Sequence, residues 1–222
     1  MTKLNVETWN NVYSEGRSLL VYPDETVVSI LNKHKDELKI GLDIACGAGR
    51  HTFLMSDFGI EAYGIDSSES AIKFAKQRAE NENNQGVHFS VQTINELKEE
   101  GQYDIIIMWG LFHYLSEEEQ KMVLSKINKL LKPGGYLVAT IRSIEDSRKR
   151  KGKKISESEY LVDYFDENSK QPKQTLMKFY DEKHVIAILE KHFKTIEIGH
   201  RSIQPIGNNG MQSSHWLIKA KK

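Results

Sequence analysis

Apolar positions along this chain alternate between helical spacing and short continuous runs. From Asp24 to Leu38, Val27, Val28, Leu31 and Leu38 recur at near-helical intervals, with Asp24 placed as an N-cap. "KIGLDIAC" then reads as a short buried strand ending in glycines, and "GRHTFLMSDFG" as a helix closed by Gly59. "IEAYGID" is a second strand, followed by the helix "SSESAIKFAKQRAENEN", with Ser67 or Ser68 placed to cap it. "VHFSVQ" and "YDIIIMW" follow as strands, the unbroken Ile105–Met108 run suiting a strand covered on both faces. "SEEEQKMVLSKINKLLK" carries the capping-box pair Ser116 and Glu119, with Met122, Ile127, Leu130 and Leu131 in its apolar stripe. "PGG" is expected to break that helix before the strand "YLVATI". A helix over "DEKHVIAILEKHF" and strands near "KTIEIGHR" and "SSHWLIKA" complete the pattern.

Strand and helix alternating in this way predict an α/β fold, a mostly parallel sheet with helices on both faces. The last two strands, about 195–201 and 213–220, have no helix between them and must run antiparallel to each other. The organisation expected is one domain: a helical cap over 1–37, a core over 38–142, an insertion over 143–180 and a terminal unit over 181–222.

Composition narrows the function classes. Thirty-one basic residues balance thirty-one acidic ones, so no global field argues for nucleic acid. No apolar run reaches the roughly 18 residues of a membrane span, and "MTKLNVETWN" lacks a signal-peptide core. The lone Cys46 rules out an internal disulfide and suits a reducing compartment. The eight histidines include no pair at metal-ligand spacing, so no metal is expected. The expectation is a cytoplasmic, one-domain protein, a monomer or homodimer.

The chemistry concentrates at the first strand-to-helix turn, "GLDIACGAGRHT". In an open parallel sheet ligands bind beyond the carboxyl ends of the strands, and Gly47 and Gly49 allow positive φ and close backbone approach. Nineteen residues after Gly47, Asp66 ends the second strand, where a carboxylate suits a ribose diol. Alone, Asp66 is equally well explained as a cap of the following helix. Together with the turn it points to a bound nucleoside. A dinucleotide fingerprint fails at its third glycine, where Thr52 stands.

The pattern Asp43-x-Ala45-x-Gly47-x-Gly49 instead resembles the first motif of class I S-adenosylmethionine-dependent methyltransferases, with alanine where that family usually has glycine. "YGIDSS" looks like their second motif, "QYDIIIMWGLFHYL" the fourth, and "LKPGGYLVATI" the turn before the fifth strand. The resemblance covers residues 38–142 well and the remainder loosely. It implies a Rossmann-like, seven-stranded sheet closed by an antiparallel hairpin, with S-adenosyl-L-methionine as cofactor. By the same resemblance Gly47 and Gly49 approach the methionine part, Asp66 binds the ribose, and Asp43 orients the turn or the cofactor amine. Thr93 stands where an aspartate usually meets the adenine amine, and the Ile94 amide would serve a ring nitrogen. Tyr13, Ala45, Ser67 and Met108 complete the expected cofactor contacts.

On the acceptor side the candidates are His113, Trp109, Arg142, Tyr180 and Arg201. His113, just past strand four, is either a general base of near-neutral pKa or a packed structural histidine. "SRKRKGKK" is either a solvated loop or a lid attracting an anion, and Cys46 reads as a packing residue. Val6, Trp9 and Tyr13 share a helical face, expected to pack on the sheet. The opening segment loosely resembles bacterial methyltransferases that modify sugars and polysaccharides. The function expected is methyl transfer to an oxygen or nitrogen of a small, anionic or sugar-like acceptor. The alternative is a non-catalytic nucleoside-binding regulatory module.

Overall fold

Ten strands and seven α-helices follow one another along residues 3–98, 101–164, 173–207 and 211–222, the parts described by the computed structural model. Helices α1 (Lys3–Ser14) and α2 (Glu25–His34) precede the sheet, and Asp24 caps α2 by accepting from the Thr26 N–H. The core alternates as β1 (Ile40–Ile44), α3 (Arg50–Asp57), β2 (Glu61–Asp66), α4 (Glu69–Asn81), β3 (Val87–Val91), β4 (Tyr103–Met108), α5 (Glu117–Leu130) and β5 (Leu131–Arg142). Then come α6 (Ser147–Lys151), β6 (Lys153–Lys154), β7 (Glu159–Tyr164), β8 (Lys173–Lys178), α7 (Glu182–Leu189), β9 (Thr195–Ile203) and β10 (Ser213–Lys221).

The main sheet has the order β3-β2-β1-β4-β5-β10-β9. Strands β1 to β5 are mutually parallel, and β10 runs antiparallel to both β5 and β9, as the missing crossover required. The chain steps outward from β1 to β3 and returns to the other side of β1 as β4. That reversal opens a crevice at the carboxyl ends of β1 and β4. One apolar cluster, around Leu42, Ile106, Leu124 and Ile218, covers one face, and a second, around Leu31, Met55, Ile105 and Val138, covers the other.

Local chemistry places the helix starts. Ser68, not Ser67, caps α4 by accepting from the Ala71 N–H, and Ser116 with Glu119 forms the complete capping box of α5. Two expectations are corrected. Helix α5 ends at Leu130, before "PGG", because β5 already begins at Leu131 and the glycines lie within that strand. Met122 is 53% exposed and borders the cavity instead of joining Leu124, Ile127 and Leu130 in the core.

Helix α1 also turns differently. Its buried face is Asn5, Thr8 and Val12, whereas Val6, Trp9 and Tyr13 border the cavity described below. Polar residues face inward because β8 offers them backbone partners. The Asn5 amide donates to Leu176 O at 2.9 Å and its oxygen accepts from Leu176 N at 2.9 Å, while Thr8 donates to Gln174 O at 3.0 Å. Strand β8 belongs to a small antiparallel sheet, β6-β7-β8, formed by the 143–180 segment. Tyr160, Val162, Met177 and Phe179 of that segment pack with Tyr114 and Trp9. Its described strands thereby pack on α1 and on the turn that follows β4.

Candidate active site

The turn after β1 is shaped by backbone geometry. Ala45 and Gly47 have φ of 56° and 55°, the left-handed region, and both border a cavity of about 680 Å³. A Cβ on Gly47 would stand 2.8 Å from the Tyr13 hydroxyl, so bare backbone lets α1 close over the turn. Gly49 has a different cause. A Cβ there would meet the Phe89 ring at 2.7 Å, and Gly49 is not among the residues lining the cavity. Its glycine serves helix–sheet packing, against the expectation that it approaches a ligand.

Three acidic or thiol groups surround this turn. Asp66 accepts from the Gly47 N–H at 2.9 Å and from the Ser68 N–H at 2.9 Å, so it ties β2 to the glycine turn while bordering the cavity. Burial raises its carboxyl despite those bonds. Asp43 accepts from the Thr52 hydroxyl at 2.9 Å, and burial, reinforced by Asp66, pushes it up to about 7. Burial, then Asp43 and Asp66, carries the Cys46 thiol well above its ordinary range, which agrees with a packing role.

Ser67, Thr93 and Ile94 border the same end of the cavity. Thr93 donates through both its N–H and its hydroxyl to Glu96 Oε2, at 2.7 and 2.8 Å, leaving the hydroxyl oxygen able to accept. Met108 and Tyr180, expected at the site, are not among its lining. Met108 points into the core, where Ile-rich β4 is covered on both faces. Tyr180 is buried in the same cluster, donates its hydroxyl to Gln120 Oε1 at 3.0 Å, and has a pKa pushed up to about 12 mainly by burial.

The far end of the cavity is built by sheet register. Arg142 on β5 lies opposite His215 on β10, and His215 lies opposite Arg201 on β9, so the three form one row across adjacent strands. All three border the cavity. Arg201 is engaged: its guanidinium donates to both oxygens of Asp24, at 3.0 and 2.6 Å. Arg142 donates to Asp146, and Arg148 donates to the same carboxylate at 3.3 Å. Of the six cations in the basic run, Arg148 alone borders the cavity.

His113 sits in a short 3-10 turn at 112–114, is 1% exposed, and finds no hydrogen-bond partner for either ring nitrogen among the described residues. Its ring stacks on Tyr114 at 4.3 Å and approaches His215 at 6.3 Å. Burial, then Arg142, His215 and Arg148, drives its pKa well below the ordinary value. That corrects the expectation of near-neutral titration: charging this imidazole would put another cation among buried cations. Trp109 borders the cavity with its ring edge-on to His51 at 5.6 Å.

Sequence reading missed His51 and His215, and saw Arg148 only as one cation of the basic run. His51 was legible only as part of a helix; its Nε2 accepts the Asp24 N–H at 3.2 Å, and burial lowers it to about 3. His215 was read as a strand residue, and its relevance comes only from pairing with Arg142. Burial, then Arg142, lowers it to about 3 as well. Among the described residues no group of His, Cys, Asp or Glu is arranged to hold a metal, and no helix is long and apolar enough to cross a membrane.

Comparison with known proteins agrees with this geometry. A ubiquinone biosynthesis O-methyltransferase of Rickettsia akari is 29% identical over 68% of this chain and 57% of its own length. The putative methyltransferase YqeM of Bacillus subtilis is 31% identical over 46% of this chain and 42% of its own. The chain thus spans about half the length of the curated relatives it matches. Among solved structures, the 1,6-didemethyltoxoflavin-N1-methyltransferase of Burkholderia thailandensis, with S-adenosylhomocysteine bound, superposes with a TM-score of 0.73 at 18% identity, covering 99% of this chain and 87% of that one. At that identity the likeness speaks for the fold. The methyltransferase domain model matches residues 35–197, most of the sheet together with the insertion, and the chain belongs to the methyltransferase domain family.

Proposed function

We propose that the protein transfers a methyl group from S-adenosyl-L-methionine to an oxygen or nitrogen of a small acceptor. One observation carries this reading. A single cavity joins the positive-φ turn and Asp66 at one end to a partly buried row of arginine and histidine at the other. Its volume of about 680 Å³ lies within the roughly 300–1,000 Å³ of small-molecule sites. Relatives and neighbours named for both O- and N-methylation leave the acceptor atom open to either.

The residues present fit the cofactor. Asp66 retains lone pairs beyond its two backbone bonds and would hold a ribose diol, while Thr93 and Ile94 would flank the adenine. Ala45, Gly47, Ser67 and Tyr13 would enclose the remainder, and Asp43 would set the turn through Thr52. When bound, the cofactor supplies an already activated methyl on a positively charged sulfur. The chain then has to align the acceptor and exclude water. Trp9, Tyr13, Tyr114 and Trp109 wall the cavity for that purpose. His113, a weak base in this cationic setting, serves better as a neutral hydrogen-bonding group than as the proton acceptor expected from sequence.

Calorimetric titration with S-adenosylhomocysteine tests the reading, with NAD as control. Saturable binding of the adenosyl compound, together with its release from S-adenosylmethionine when an acceptor panel is added, is expected. Binding of NAD alone would overturn it, and binding without turnover across a broad panel would favour a regulatory nucleoside-binding module.

A further inference from the structure

The inner end of the cavity holds more positive charge than the chain neutralises. Arg142 and Arg148 share one carboxylate, Asp146, which is fully buried and also accepts from the Ser214 N–H at 3.0 Å. The other acidic groups nearby are committed elsewhere. Among the described residues that line the cavity, Asp24 is bonded to Arg201, Asp66 to the amides of Gly47 and Ser68, Asp43 to Thr52, and Glu119 to the amide of Ser116. One cation is therefore in excess where side chains of Arg142 and Arg148 are only 12% and 25% exposed.

The same place holds unsatisfied polar atoms, a guanidinium donor and the donor and acceptor nitrogens of a neutral imidazole. Arg142 Nε and both nitrogens of His113 are buried without a hydrogen-bond partner among the described residues. Leaving such groups unpaired is costly, and costlier beside an unneutralised charge. A purely structural cluster would have recruited a second carboxylate, as Arg201 recruits Asp24. The two histidines, kept neutral by their neighbours, add polar atoms without adding charge, so the excess stays near a single unit.

We propose that this end of the cavity is an anion subsite, in which Arg142 and Arg148, braced on Asp146, bind a singly charged oxyanion of the methyl acceptor while His113 donates an N–H to it. The class of acceptor this selects is a small carboxylate-bearing molecule. A planar carboxylate matches the fork of a guanidinium edge, offers a second oxygen to the imidazole, and carries the one negative charge the cluster lacks. A dianion such as phosphate would over-compensate the site. Neutral sugars and phenols would leave it uncompensated. The proposal rests on the methyl-transfer reading for calling the anion an acceptor, but the subsite itself is testable without turnover.

The test is thermal-shift and calorimetric titration of the protein, with and without S-adenosylhomocysteine, using acetate, sulfate and acetamide at constant ionic strength. Acetate is expected to bind saturably and raise the melting temperature, sulfate more weakly, and acetamide not at all. Arg148→Gln should weaken acetate about tenfold or more, the usual consequence of losing a charge-assisted bond pair, and leave S-adenosylhomocysteine affinity unchanged. Arg142→Gln should do the same, and if it does not fold, Arg148→Gln carries the test, because that side chain lies nearer the surface on α6. His113→Phe, which keeps an aromatic ring and removes its N–H, should weaken acetate by a smaller factor. Equal responses to acetate and acetamide, or unaltered acetate binding in Arg148→Gln, would overturn the proposal. Failure to bind S-adenosylhomocysteine would overturn the methyl-transfer reading instead and leave the anion titration interpretable.

Discussion

Replacing Asp66 by alanine separates two roles that sequence alone assigned to alternatives. The carboxylate accepts from Gly47 N–H and Ser68 N–H, each at 2.9 Å, so it links the glycine turn to the start of α4. Asp66→Ala leaves both amides without that partner in a place where the residue itself is only 8% exposed. Each lost bond costs about 1–3 kcal/mol, and release of a buried carboxylate, whose pKa is raised by burial, returns part of it. A net loss of about 2–3 kcal/mol is expected, or roughly 4–10 °C of melting temperature for a chain of this length. Differential scanning calorimetry of the cofactor-free protein measures the first effect, and titration with S-adenosylhomocysteine at a temperature where the variant is folded measures the second. Affinity should fall by a further 2–4 kcal/mol, the worth of two hydroxyl bonds to a carboxylate. A variant with unchanged melting temperature would refute the argument that Asp66 braces the turn. One with unchanged affinity would refute ribose binding and leave the bracing role standing.

Three more expectations follow from the electrostatics. Asp43 has a folded pKa of about 7, above its unfolded value, so its contribution to stability is present below about pH 4 and is lost as pH rises through 7. Asp43→Asn, which can still accept from Thr52, should therefore gain melting temperature over the parent progressively from pH 5 to 8; parallel curves would refute the buried-acid assignment. His51 and His215 have folded pKa values of about 3, below the unfolded value, so their contribution is present above about pH 6.5 and is lost as pH falls towards 3. His215→Gln should be less sensitive to acid than the parent between pH 6.5 and 4, measured by the same scans, and an unchanged acid limb would argue against it. Because His113 stays neutral across that range, methyl transfer should show no loss near pH 6.5 attributable to it; a His113→Gln variant that abolishes such a loss would restore the general-base reading.

The half of the cavity proposed to hold the cofactor was legible because it is local. Gly47, Asp66, Ser67, Thr93 and Ile94 all lie at the ends of strands whose hydrophobic runs and capping residues announce themselves within a few positions. Where local reading failed, a partner distant in sequence had intervened. Asn5 and Thr8 of α1 are buried because β8, 166 to 171 residues away, supplies backbone acceptors and a donor. No rule of apolar periodicity favours burying an asparagine. Gly49 looked like a ligand contact because glycine in such a turn usually is one, yet the Phe89 ring from β3 is what forbids a side chain there. Met108 sits at the end of a strand in the right place but faces the core, since strand neighbours alternate and only every second residue can turn towards the crevice.

The arginine- and histidine-lined half of the cavity, proposed to take the acceptor, depends on pairing across three strands, which explains why it was half seen. Arg142 and Arg201 were singled out separately, as cations near the right end of the sheet. Only the antiparallel register of β10 puts His215 between them and aligns all three on one face. A one-residue slip of β10 would carry His215 to the opposite face. The extra antiparallel strand, so often just a way to finish a sheet, here completes the wall of the site. It also explains the pairing of charges. Asp146, at the start of α6, is fixed by the β10 amide of Ser214, and through it both Arg142 and Arg148 are held at the cavity. The position of the basic run therefore matters through one residue, while its remaining cations lie outside the cavity. Methyl transfer of this kind asks the fold for alignment and dryness rather than for an acid or base. On the proposed methyl-transfer reading, a site whose polar groups are a braced arginine pair and unprotonated imidazoles would supply those requirements by selecting the charge of what it admits.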